Sequence, residues 1–306
     1  MVPTPPVRKI KVPPEGDGLD VLTLLSKYLD LRFPDALTPL LGQGLLTDTD
    51  GNHFSELHRL RVKQECLLNL DVLAELKAPR CAPSILYEDD GLIALDKPAG
   101  FLVHPSGGLF QWTMVDWARM HFAHSEIDLV HRLDRQTSGV LLLTKNKALN
   151  AVVKKEFAAH RVEKTYLAGV ENCPTWSELT CAAPIGQSTS GPKTRRKVTL
   201  SGKSAETRFT RVECFQNTAL IRCHPITGRS HQIRVHLSHL GHPLLGDLLY
   251  APNVEETIDH SLSRHALHCA KLRLEVPGHG AYEIESPIPA DLSALLHSPV
   301  RRVGST

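Results

Sequence analysis

Apolar positions along the chain follow two periods, and the change from one to the other divides it. Leu19, Leu22, Leu25 and Leu29 recur three or four residues apart, the face of an amphipathic helix that Pro34 must end. Leu37, Leu40 and Leu41 form a second apolar cluster, and GQGLLTDTDG behind it predicts a turn, a strand and a turn. From Ser84 the texture changes, and ILYEDDGLIALDKP predicts two strands around an acidic turn. Thr113 is placed to cap a helix through His121, with Asp116 in its first turn, and Asn146 to cap another over 147–159. Thereafter a two-residue period dominates. In TALIRCHPI, Ala219, Ile221 and Cys223 alternate with Leu220, Arg222 and His224, and SAETRFTRVE, HCAKLRLEV and AYEIES predict further strands. Many hairpins and few helices predict an α+β domain built on a mixed, mostly antiparallel sheet with flanking helices. It follows a small N-terminal α/β module, and no internal repeat is visible.

Proline and charge sharpen these divisions. Five prolines within residues 1–14 predict an extended, mobile tail. The small module then spans 15–72, a linker with Pro79 and Pro83 spans 73–83, the large domain runs over 84–296, and 297–306 form a C-terminal tail. With 306 residues, 42% of them hydrophobic and 22% charged, the chain can bury a sizeable core. A net charge of only +2 means that affinity for a polyanion has to come from local patches. Residues 15–72 carry −5, leaving +7 on the remainder. The segment 191–203 holds Lys193, Arg195, Arg196, Lys197 and Lys203 without an acid, and reads equally as a solvated hairpin loop or as a phosphate-contacting arm. Seven scattered cysteines without a CxxC pair predict reduced thiols and a cytoplasmic protein. The opening MVPTPPVRKIKVPP lacks the apolar run of a secretory signal, and no stretch approaches the length needed to span a bilayer. No membrane association is expected.

Three polar islands interrupt the large domain: HRLDRQTSG (131–139), EKTYLAGV (163–170) and TGRSHQIRVHLSHLGHPLLGD (227–247). Asp134, Thr137, Ser138 and Gly139 make good turn chemistry. Turn chemistry alone explains neither Arg132 nor a carboxylate set between two apolar, strand-like segments. A buried Asp134 stays ionised only if a cation or donors compensate its desolvation. Arg234, framed by Ile233, Val235 and Leu237, is the candidate counter-charge, and a guanidinium suits that place because it keeps its charge. Tyr166 reads either as ordinary strand packing or as a stacking ring with an acid–base hydroxyl. His236, His239 and His242, three residues apart, raise a metal site, but Gly241 and Pro243 should end the helix before they align, and Asp247 is the only acid near them in sequence. Histidines on an amphipathic helix are the better reading, so no metal is expected.

Taken together, HRLDRQTSG, EKTYLAGV and GRSHQIRVHLSHLGHPLLGD resemble the motifs of the RluA-type RNA pseudouridine synthases. ILYEDDGLIALDKPAG is similar to that family's opening strand motif and ALHCAKLRLEVP to its closing one, so the resemblance covers 84 to about 292. It implies the pseudouridine synthase fold and isomerisation of uridine in RNA, without cofactor or metal. It also implies roles. Asp134 matches the catalytic aspartate, Tyr166 the tyrosine that stacks on the target base, and Arg234 the arginine that pairs with the aspartate. Arg132 matches a basic residue that helps hold the flipped nucleotide, and Leu272 a hydrophobic residue beside the uracil pocket. His131, Leu133, Thr137, Lys164, Arg229, His231 and Gln232 are further candidate substrate contacts, and the 191–203 cations are candidates for the RNA backbone. GDGLDVLTLLSKYL followed by LLGQGLLTDTDG resembles a small alpha-L RNA-binding module. Here it is a degenerate copy: the helix expected to be basic reads FPDALTPLL, which points to packing or protein contacts.

The expected substrate is large-subunit ribosomal RNA of the 23S type or transfer RNA, and the expected state a monomer. The alternative is a catalytically weak RNA-binding or RNA-folding factor, against which Asp134, Tyr166 and Arg234 argue together. A glycosidase would need a second carboxylate, for which Asp247 is the candidate.

Overall fold

The computed structural model describes residues 7–12, 17–29, 37–69, 72, 83–104, 113–188, 194–251 and 264–297. Lys193, Pro34, the whole 73–82 stretch of the expected linker and 298–306 of the expected C-terminal tail lie outside them. The described residues fall into two compact units, one within Met1–Arg80 and His104–Trp117, the other within Cys81–Val103 and Ala118–Thr306.

The smaller unit has strands β1 (Val7–Lys11), β2 (Leu46–Thr47) and β3 (Glu65–Asn69) in the order β1-β3-β2, with helices α1 (Val21–Leu29) and α2 (Thr38–Gly42). Asp20 starts α1 by accepting from the Thr23 N–H at 2.8 Å. Of the predicted leucines, Leu25, Leu37, Leu40 and Leu41 are buried in a core with Leu46 and Leu68, and Leu19 and Leu22 pack against it half-buried. The turn–strand–turn reading of GQGLLTDTDG matches β2, whose following turn is tied by Asp48 to the Asn52 N–H at 2.8 Å. The expected mobile tail is corrected in part. Val7–Lys11 is extended but pairs antiparallel with β3, Ile10 opposite Cys66. Ile10 and Val12 are buried while Lys9 and Lys11 reach Glu65, a two-residue period that the flanking prolines obscured. Thr113 caps helix α3 (Met114–His121) through its hydroxyl and the Asp116 carboxylate, 2.6 Å apart.

The larger unit is built on a ten-stranded sheet. Its strands are β4 (Ser84–Glu88), β5 (Leu92–Lys97), β6 (Asp128–Leu129), β7 (Ser138–Thr144), β8 (Glu163–Glu171), β9 (Glu178–Cys181), β12 (Thr207–Cys214), β13 (Thr218–Pro225), β14 (Leu267–Val276) and β15 (Gly280–Glu285). The order is β4-β5-β7-β14-β8-β13-β12-β9, with β6 on β7 and β15 on β14. Among the described residues only the β7–β14 pair is parallel. The closeness of that pair explains Gly139: its φ is +106°, and a Cβ there would fall on the Cys269 carbonyl. Strands β10 (Ile185–Gln187) and β11 (Arg196–Val198) form a separate antiparallel pair. Helices α4 (Lys147–Ala158), α5 (Gln232–His239) and α6 (Ala290–His297) complete the unit, α4 capped as predicted by Asn146, which accepts from the Leu149 N–H. Among the described residues no helix is long and apolar enough to cross a membrane.

The expectation of reduced thiols is also corrected. Cys173 and Cys214 form a disulfide, their Cα atoms 5.5 Å apart. They lie 41 residues apart in sequence, but β8 and β12 flank β13, so the ends of those two strands come together. Cys66, Cys181, Cys223 and Cys269 are free and buried.

Candidate active site

Asp134 lies on the loop between β6 and β7, and that loop is braced from several sides. The Thr137 N–H donates to the Asp134 carbonyl at 3.0 Å, the turn expected from TSG. Thr137 Oγ1 meets His265 Nε2 at 2.8 Å, and Ser138 Oγ meets His268 Nδ1 at 2.9 Å. Lys97, fully buried at the end of β5, donates to the carbonyls of Pro98, Phe101 and Arg135 at 2.9, 3.1 and 3.0 Å. Its three N–H groups are thus all used. Burial pulls its pKa down to about 7. The Gly100 N–H donates to the Arg135 carbonyl and Arg135 Nε to that of Gly100, so the segment after β5 is pinned beside the Asp134 loop.

The predicted counter-charge is in place. Arg234 on α5 donates from Nη1 to Asp134 Oδ2 at 3.2 Å, across 100 residues of sequence. Its other edge is held more tightly: Nε and Nη2 each reach an Asp247 oxygen at 2.8 Å, a bidentate pair inside the protein. Asp247 is therefore the partner of Arg234 and not a second reactive carboxylate of the kind a glycosidase needs. The Arg234 guanidinium also lies 4.9 Å from the centre of the Tyr250 ring. Burial alone would raise the Asp134 pKa, but the neighbouring His231, Arg234 and His265 outweigh it, Arg234 with a fixed charge and a hydrogen bond, and hold the carboxyl below its ordinary 3.8. Asp247 is lowered in the same sense, the bond and charge of Arg234 outweighing burial. The Asp134 side chain keeps 29% of its surface open, while that of Asp247 keeps 1%. One carboxylate is presented and the other is enclosed.

Tyr166 stands on β8 between Cys223 of β13 and Cys269 of β14 and is 8% exposed. Burial, with Cys269 and Asp134 nearby, raises its pKa well above 10.0 and keeps the phenol protonated. Lys164, two residues earlier on the same strand, is desolvated and its pKa lowered. His231 brings Nε2 to 3.9 Å from Asp134 Oδ1. Arg132 is exposed and makes no hydrogen bond or ion pair with a described residue, whereas Arg229 donates to the Ser204 carbonyl.

Other motif residues are committed to the fold. His131 Nε2 accepts the Leu142 N–H, and its ring stacks on Phe157 at 4.9 Å, so burial drives its pKa down to about 3. Gln232 accepts from Thr227 and Arg229 and donates to Glu206 and Thr207, which exhausts its amide. Leu133 is buried and Leu272 fully enclosed. His236 spends both ring nitrogens, on Thr207 Oγ1 and the Ala183 carbonyl, and no group of described residues has the spacing of a metal site. Of the basic segment, Lys197 and Lys203 are exposed and Arg195 and Arg196 half-buried. Residues that sequence reasoning did not single out as parts of the site are Lys97, Tyr250 and His265. Of these, Lys97 lies in the motif text DKP, while Tyr250 and His265 fall just outside HPLLGD and ALHCA, and nothing in the spacing says which atoms they hold.

Residues 91–239 match the family model described as RNA pseudouridylate synthase. The chain is 36% identical over 239 residues to the uncharacterized RNA pseudouridine synthase YlyB of Bacillus subtilis, covering 75% of each. It is 36% identical over 227 residues to ribosomal large subunit pseudouridine synthase C of Salmonella typhi, covering 72% of this chain and 71% of the relative. Among solved structures, human RNA pseudouridylate synthase domain containing 1 superposes with a TM-score of 0.61 at 25% identity, covering 74% of this chain and 91% of that one. A likeness of this depth, carried over most of each chain and repeated in the fold, makes this chain a member of the RluA-type RNA pseudouridine synthases, isomerases that turn uridine into pseudouridine in RNA.

Proposed function

We propose that the chain isomerises uridine in large-subunit ribosomal RNA, with Asp134 as its catalytic residue. The observation that carries this is the asymmetry of the two carboxylates around Arg234: Asp247 is enclosed and Asp134 is left partly open. The reaction breaks the bond from ribose C1′ to uracil N1 and joins C1′ to C5. The C5 proton leaves and N1 gains one, so nothing is oxidised or reduced. The uridine has to leave its stack to reach a carboxylate held this way. An ionised Asp134 then acts at the sugar–base junction, as nucleophile or as base toward the sugar. Arg234 keeps it charged and aimed. The protonated Tyr166 favours the ring as a stacking surface; for its oxygen to take the C5 proton, it has to pass its own proton on in the same step. Arg132, exposed beside Asp134 in sequence, suits a contact to the displaced nucleotide.

The ribosomal substrate is supported by relatives such as the Salmonella enzyme, named for the large subunit, and a cytoplasmic location goes with that reading. Pseudouridine mapping across total RNA from cells with and without the chain tests the proposal. Loss of large-subunit sites, restored by wild type but not by Asp134→Asn, is expected, with RNA binding by that variant retained. Loss confined to transfer RNA overturns the substrate. Wild-type rates for Asp134→Asn overturn the mechanism, and no change at any site favours the RNA-folding alternative.

A further inference from the structure

Tyr250 sits where three parts of the larger unit meet. Its ring belongs to a small buried cluster with Ile185 of β10, Ala205 and Val235 of α5, against which Val198 of β11 packs. Its hydroxyl accepts the Arg196 N–H of β11 at 2.9 Å and lies 2.7 Å from His231 Nδ1. The ring face supports the Arg234 guanidinium, and His231 meets the ring edge-on at 79°. One side chain therefore touches the floor and main chain of the β10–β11 pair, the imidazole facing Asp134 and the guanidinium paired with it.

The Arg196 N–H fills an acceptor site of the phenol oxygen, which favours the phenol proton pointing to His231 Nδ1, the tautomer of His231 deciding the direction of that contact. Desolvation lowers the His231 pKa and favours the neutral ring. Its remaining proton then sits on Nε2, the nitrogen 3.9 Å from Asp134 Oδ1. The charged groups around that ring are Asp134, Arg234, Asp247 and Arg196. His231 also holds a left-handed backbone, φ 58° and ψ 20°, which a non-glycine residue adopts at a cost that surrounding contacts must offset. The outer face of β11 presents exposed Lys197, and exposed Lys203 bridges back to Ile185 of β10. Those charges suit RNA phosphates.

Resting on the reading that Asp134 acts on RNA, we propose that Tyr250 is a positioning residue that couples the β10–β11 pair to the site. RNA phosphates that engage Lys197 and Lys203 draw on β11, and through the Arg196 N–H and the Tyr250 hydroxyl they fix the proton and orientation of His231 beside Asp134. Substrate grip and catalytic geometry are thereby linked.

Tyr250→Phe keeps the ring and removes the link. Histidine side-chain nitrogen NMR on the full chain, with His231 assigned by its loss in His231→Gln, reads the tautomer without RNA. The Nε2–H form is expected in wild type and its loss, or a tautomer mixture, in Tyr250→Phe; the same tautomer in both overturns the proposal. The kinetic arm uses an unmodified transcript of the RNA found by mapping. Replacing Lys197 and Lys203 with Ala should raise KM and lower kcat about tenfold in wild type, but raise only KM in Tyr250→Phe. An equal kcat loss in both backgrounds overturns the coupling. If wild type itself forms no pseudouridine, the catalytic reading fails, and the NMR result still decides the tautomer link.

Discussion

Replacing Asp247 with Asn tests whether the site depends on the carboxylate that no substrate reaches. Asp247 Oδ1 accepts from Arg234 Nη2 and from the Leu249 N–H, and Oδ2 accepts from Arg234 Nε. An Asn that keeps its oxygen at the Oδ1 position retains the first two bonds. It sets an NH₂ against the Nε–H, and it removes the charge facing a buried guanidinium. Breaking a buried pair from one side costs about 3–5 kcal/mol, and because two bonds survive the lower end applies. At roughly 2–4 °C per kcal/mol, the thermal midpoint of the larger unit should fall by about 6–12 °C. Asp134, 3.2 Å from Nη1, becomes the only carboxylate on Arg234 and is pulled from its open position. A loss in kcat of about tenfold or more is expected, a barrier change of about 1.4 kcal/mol. Asp128→Asn is the control: its pair with Lys154 at 3.2 Å is half exposed on both sides, and such pairs contribute no more than about 1 kcal/mol. Thermal and urea unfolding followed by circular dichroism, with single-turnover pseudouridine formation, reads all of this. A stability change in Asp247→Asn no larger than that of the control would refute the view that Arg234 is held by a desolvated bidentate pair.

Gly139→Ala should cost the larger unit about 3 kcal/mol or more, since φ is +106° and the new Cβ meets backbone; soluble yield and urea midpoint check it, and a midpoint within error of wild type refutes the close approach. The Cys173–Cys214 bridge closes a 41-residue separation and should add about 4 kcal/mol to the oxidised protein; thiol labelling with and without reductant, alongside urea unfolding, should find two of the seven cysteines protected. Asp134 and Asp247 both have folded pKa values lowered below 3.8, so the stability they contribute is complete above that pH and is lost as pH falls through the lowered values. In acid titration, Asp247→Asn should therefore lose stability less steeply than wild type below about pH 4, and equal slopes would show that Asp247 is not ionised in the folded state.

How far the site could be read from sequence depends on what kind of fact each part is. The Asp134–Arg234 pair was legible because a carboxylate and a guanidinium, each framed by apolar residues, need each other wherever they meet. Asn146 and Thr113 were legible because a cap acts on its own next turn. The Asp247 clamp was not, because an acid near a run of histidines reads equally as a metal ligand or a second catalytic carboxylate. Its geometry depends on the turn after α5. Lys97 was hidden because an apolar run ending in a lysine looks like a strand reaching solvent, whereas here the ammonium caps three carbonyls inside. His131 and Gln232 show the converse: they lie in the motif text, yet His131 Nε2 is taken up by Leu142 and the Gln232 amide by Glu206, Thr207, Thr227 and Arg229. The disulfide and β1 were missed because both are pairings across sequence, made by strand neighbours that composition does not report.

The place of β14 has a consequence for how the enzyme is made. That strand, residues 267–276, lies between β7 and β8, the strands that follow Asp134 and carry Tyr166. On the ribosome, β7 and β8 are both synthesised more than a hundred residues before the strand that joins them. Until β14 has left the exit tunnel Asp134 and Tyr166 belong to separate fragments of sheet, each with an open edge. A nascent chain therefore lacks the joined sheet that sets Asp134 and Tyr166 side by side until β14 has emerged.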